Sequence, residues 1–123
     1  MIQDKEHIQQ TNKTVRITEE KKDLWFHSGH WVDMNGDGHK DLLVARSNGE
    51  AAGGTLLWLE HPGDNALDGT EWTQHHIVDG PDVYTSIDFL PQYPDEVIVW
   101  ASQYFDHAIG VYRVSLKDGS LVD

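Results

Sequence analysis

Cysteine is absent from the 123 residues, so no disulfide framework supports this chain, and the redox compartment stays open. Basic residues are scarce. Nine Lys and Arg stand against 21 Asp and Glu, a formal charge of −12. That balance argues against nucleic-acid binding, which needs a basic face, and suits a cation-binding or simply soluble protein. No apolar run approaches the ~18 residues of a membrane span. The opening Met1-Ile2-Gln3-Asp4-Lys5-Glu6 is followed by no apolar stretch, so it is not a signal peptide. A Gly-x-Ser-x-Gly elbow, a phosphate loop and a dinucleotide fingerprint are also missing. The length allows one ordinary domain at most.

Oxygen-bearing side chains, by contrast, are concentrated in one place. Asp33-Met34-Asn35-Gly36-Asp37-Gly38-His39-Lys40-Asp41 carries them at positions 1, 3, 5 and 9, with Gly38 at position 6. Ca²⁺ takes six to eight oxygens at about 2.3–2.6 Å, and a tightly wound loop turns alternate residues to one centre. Gly38 permits the sharp turn because it reaches positive φ without strain. The expected ligands are Asp33, Asn35, Asp37 and Asp41, with the backbone carbonyl of His39 between the last two and water completing the shell. An EF-hand needs a bidentate Glu at position 12 and flanking helices. Position 12 is Val44, in an apolar β-type run, and dockerin-like loops fail on the same point. A metal-free Asx/Gly turn is the plain alternative, but three carboxylates within nine residues repel one another without a cation.

A loop ending at its ninth residue and feeding a strand resembles the FG-GAP/VCBS repeat family. That resemblance implies β-propeller blades, Ca²⁺ in the loop between first and second strands, and an extracellular or periplasmic setting. The run Gly54-Thr55-Leu56-Leu57-Trp58-Leu59-Glu60-His61-Pro62-Gly63, then Trp72-Thr73-Gln74-His75-His76-Ile77, is similar to a subgroup of these propellers. Some of that subgroup are attached to sugar-converting enzymes such as aldos-2-ulose dehydratases, others to polysaccharide lyases or surface proteins. Fold alone does not select among them.

The chain divides accordingly. Residues 1–23 are a polar lead-in, without a trustworthy period over 1–13, in which residues 14–18 alternate as an outer strand of a preceding blade. Residues 24–79 form a blade with strands at 28–32, 40–46, 55–60 and a polar edge strand at 72–78. The runs at 42–45 and 56–59 are continuously apolar, so both faces of these strands are expected to be buried. Residues 80–123 form a second, degenerate blade. Thr85-Ser86-Ile87-Asp88 matches the entry to the metal loop at an offset of 55, and Pro94-Asp95-Glu96-Val97 matches Lys40-Asp41 and its strand. Its loop, Phe89 to Pro94, lacks the central Asn, Asp and Gly and is not expected to hold Ca²⁺.

The fold class expected is therefore all-β, about two four-stranded antiparallel blades. A closed propeller takes about four to eight. The chain is thus expected to belong to a longer propeller or to self-associate, with a truncated start. The function expected is a Ca²⁺-binding, binding or scaffolding module with a carbohydrate or protein ligand. The alternative is a fragment of a carbohydrate lyase or dehydratase. Trp58 and Trp100, in apolar strands, are expected in the core, while Trp25, Trp31 and Trp72 stay open. His75 and His76, adjacent in a strand, point to opposite faces and cannot share an ion. His27 and His30 lie near the inner strand and could reach a central pocket. The plain reading of all eight histidines is half-buried or surface imidazole.

Overall fold

The computed structural model describes residues 14–122. The polar lead-in expected over 1–13 lies outside the described residues. Seven strands follow: β1 Trp25–Val32, β2 Asp41–Ser47, β3 Gly54–Glu60, β4 Thr73–Asp79, β5 Thr85–Asp88, β6 Glu96–Gln103 and β7 Ala108–Ser115. They build two antiparallel sheets in chain order, β1-β2-β3-β4 and β5-β6-β7. The only helical pieces among the described residues are two single 3₁₀ turns, Gly63–Asn65 and Tyr104–Asp106. No helix among these residues is long and apolar enough to cross a membrane.

The all-β class is as expected; the strand count is not. The second sheet has three strands. A fourth position is only begun, by an isolated antiparallel bridge between Val114 and Leu121. Residues 14–18 form no strand either, because no second strand among the described residues offers them a ladder. They run across the outward face of the first sheet, where the Trp72 N–H donates to the Ile17 carbonyl at 2.8 Å. β1 begins at Trp25, earlier than expected, and crosses a bulge between His27 and His30 where Ser28 takes φ 51°.

The doubly buried strands are borne out. Leu43, Leu56 and Trp58 point into the inter-sheet core with Val97, Val99, Ala101 and Val114. Val44, Leu57 and Leu59 point the other way, with Trp72, and are met by Ile17 and Ala66. Burying each such side chain contributes about 1.5–3 kcal/mol. β4 is indeed the polar edge, where His75 stacks on Trp58 and meets Glu60, while His76 meets Asp79. Trp100 departs from expectation. It is 44% exposed, on the outward face of β6, with its indole N–H donated to Asp88.

The sheets stack in the same order and direction. The His30 ring holds β1 beside β5, at 2.9 Å from Thr85 Oγ1. The Ala52 N–H donates to the Asp106 carboxylate at 3.1 Å, so the turns after β2 and β6 share one end. Trp58 Nε1 donates to the Gly119 carbonyl at 3.0 Å, which ties β3 to the turn beyond β7. One consequence concerns the internal repeat. Val32 and Leu43 share the inter-sheet core with Ile87 and Val97, so these pairs face one another and do not occupy equivalent faces. A one-residue shift, which exchanges the faces of a strand, separates the sequence match from the spatial one.

Candidate metal centre

The loop from Asp33 to Asp41 connects β1 to β2, and its shape follows from its side chains. Asp33 Oδ1 accepts the N–H of Gly36 at 2.9 Å and of Asp37 at 3.2 Å, while Oδ2 accepts that of Gly38 at 2.9 Å. Asp37 Oδ1 accepts the His39 N–H at 2.9 Å, and Asn35 Oδ1 lies 3.4 Å from the Asp37 nitrogen. These are Asx-type turns, which wind the backbone around its own carboxylates. Gly36 and Gly38 both take positive φ, 76° and 89°, where other residues are strained. Met34 anchors the coil by burying its side chain completely in the inter-sheet core.

The result brings three of the five expected site residues together. Carboxylate oxygens of Asp33, Asp37 and Asp41 lie within 4.8 Å of one another. Asn35 and His39 sit on the same coil. His39 is exposed, its ring stacked on His61 with centroids 4.6 Å apart. Two unit charges at such a distance repel by about 1 kcal/mol in bulk water, and by several times that near a protein surface. A divalent cation removes that cost, and hard carboxylate oxygens are the donors such an ion takes.

Asp41 plays a second part that the loop spacing alone does not reveal. It is fully buried at the start of β2, with Oδ2 accepting the Met34 N–H and Oδ1 the His61 N–H, both at 2.8 Å. Burial pushes its carboxyl above the usual Asp range. The two backbone donors oppose that, and the charges of Asp37 and Asp33 add to it. Asp33 behaves oppositely. Burial pushes it up, but the N–H groups of Gly38, Gly36, Asp37 and Asn35 outweigh that and hold it below the usual range. The one early sign of Asp41's role was an acid placed directly before an apolar strand.

The acids of the second loop, which was not expected to hold Ca²⁺, have other partners. In the second sheet Asp88 accepts the Trp100 indole N–H, and the side chain of Asp95 lies 3.8 Å from the Lys117 ammonium. His30 spends Nε2 on Thr85, 2.9 Å from its hydroxyl oxygen, while the Thr85 hydroxyl donates to the Ser28 carbonyl. An aromatic line missed in the sequence runs from the coil: His39 on His61, His61 5.1 Å from Trp72, and Trp72 6.3 Å from Trp31. It borders an open cleft of about 810 Å³ that Lys40, Leu67 and Ile17 also line. No protein-family model, curated protein or solved structure matches this chain.

Proposed function

We propose that this chain is a Ca²⁺-binding segment of a β-propeller of FG-GAP/VCBS type, acting as a binding or scaffolding module. The observation that carries the reading is the convergence of Asp33, Asp37 and Asp41 on one coil. In it the ion is held by those carboxylates with the Asn35 amide oxygen and the His39 carbonyl, and it staples the β1–β2 hairpin without taking part in chemistry. The same-sense stacking of the two sheets supports treating them as successive blades. A catalytic reading needs His27 and His30 beside an acid, and His30 is engaged by Thr85 instead.

Titration calorimetry on the full chain tests the assignment. Ca²⁺ is expected to bind at one site, Asp37→Ala to abolish that binding, and Asp95→Ala to leave it unchanged. Tight Zn²⁺ binding that survives Asp37→Ala would overturn the hard-oxygen site.

A further inference from the structure

Two of the four asparagines are followed by glycine, as Asn35-Gly36 and Asn48-Gly49. In such a pair the side-chain amide is open to attack by the next backbone nitrogen, because glycine has no Cβ to obstruct the approach. The fold treats the two pairs differently. Asn48 is half-buried at the start of the turn from β2 to β3, and Gly49 and Glu50 are exposed. Its Oδ1 accepts the Glu50 N–H at 2.9 Å, which holds the side chain back over its own turn and draws electrons away from Cγ. Gly49 takes φ 81°, and its N–H donates to the neutral Ser47 hydroxyl. At Asn35 the matching contacts are longer or charged. Its Oδ1 lies 3.4 Å from the Asp37 nitrogen, and the Gly36 N–H donates to the Asp33 carboxylate at 2.9 Å. An attacking nitrogen must first lose its proton, and the carboxylates of Asp33 and Asp37 oppose the negative charge this leaves on Gly36.

We propose that Asn48 is a self-modifying site, at which the folded chain deamidates ahead of Asn35. The Gly49 nitrogen gives its proton to hydroxide and attacks Cγ of Asn48. The new C–N bond closes a succinimide ring, the Cγ–Nδ2 bond breaks, and ammonia leaves with a proton from water. Water then opens the ring at either carbonyl, leaving aspartate or isoaspartate at position 48. Both products add a negative charge to the −12 of the chain. Isoaspartate also lengthens the main chain by a methylene. It does so inside a turn closed by the Asn48 N–H on the Gly53 carbonyl and the Gly53 N–H on the Glu50 carbonyl. The same turn carries the Ala52 N–H that binds Asp106, so the change reaches the contact between the sheets. None of this depends on an ion in the Asp33–Asp41 coil.

Incubating the full chain in warm, mildly alkaline buffer with a chelator, then mapping its peptides by mass spectrometry, tests this. Conversion is expected several-fold faster at Asn48 than at Asn35. Asn48→Gln is expected to remove the faster conversion and its isoaspartate. A parallel incubation in guanidinium chloride supplies the comparison, because unfolding brings the two Asn-Gly pairs to similar rates. A ratio of Asn48 to Asn35 conversion no higher in the folded chain than in denaturant overturns the proposal. So does a folded chain that stays unconverted at Asn48 while the denatured sample reacts. The isoaspartate form, isolated by its added charge, is expected to melt below Asn48→Asp, which carries the same charge on an unlengthened backbone. Equal melting overturns the part given to the turn.

Discussion

The carboxylate of Asp41 accepts the backbone N–H of His61, twenty residues further along the chain, at 2.8 Å. This bond joins the first residue of β2 to the turn leaving β3, and it sits beside the coil whose other acids are exposed or half-buried. One acid therefore shapes the scaffold while its neighbours face solvent.

That division separates two substitutions. Asp41→Ala leaves the buried Met34 amide and the part-buried His61 amide without an acceptor, at about 1–3 kcal/mol for the buried one. Asp37→Ala removes an exposed carboxylate, and is expected to change metal-free stability by under about 1 kcal/mol. Urea unfolding in the presence of a chelator is expected to rank Asp41→Ala well below Asp37→Ala. Equal midpoints would show that the two amides are satisfied another way.

Calcium is expected to stabilise the fold modestly. A ligand that binds only the folded state contributes RT ln(1 + [L]/Kd), about 2.7 kcal/mol at a hundredfold excess. At a Kd near 10⁻⁴–10⁻³ M, the weak end of Ca²⁺ loops, millimolar Ca²⁺ supplies roughly 1 kcal/mol. The melting temperature should rise saturably with Ca²⁺ and less with Mg²⁺, at matched ionic strength. A rise no greater than Na⁺ gives reduces the coil to a turn.

Glu96 provides the clearest acid dependence. Two hydrogen bonds from Arg113, at 2.7 and 3.0 Å, lower its pKa from the usual Glu range, against a smaller opposing effect of burial. A carboxyl depressed on folding contributes stability above its unfolded pKa and loses it as pH falls through the folded value. The advantage of the native chain over Glu96→Gln should hold at neutral pH and vanish in strong acid. Denaturant midpoints that differ equally at both ends would rule this out.

Gly119 is expected to resist substitution. It takes φ 73°, and a Cβ there would overlap the Trp58 indole, which donates to its carbonyl. Left-handed strain and overpacking together put Gly119→Ala at roughly 1–3 kcal/mol of destabilisation. Thermal melts followed by Trp fluorescence read this directly. An unchanged midpoint would mean that the turn moves away at no cost.

The residues alone determine much of this protein, because the signals involved are local. Asp33, Asn35 and Asp37 sit at a spacing that lets their side chains wind the backbone into a coil, and Gly38 supplies the conformation it needs. Apolar runs at 42–45 and 56–59 announce strands covered on both faces, since nothing polar in them could meet water. Tertiary structure decided the rest. The period-2 pattern of β6 reads the same whether Val97 and Val99 or Ile98 and Trp100 point inward, and only the packed first sheet selected Val97 and Val99. Residues 14–18 alternate like a strand, yet a ladder needs a neighbour, and the chain offers them a sheet face instead of an edge. The bond from His61 to Asp41 joins residues that approach only after β2 and β3 have paired, so spacing within the coil could not disclose it.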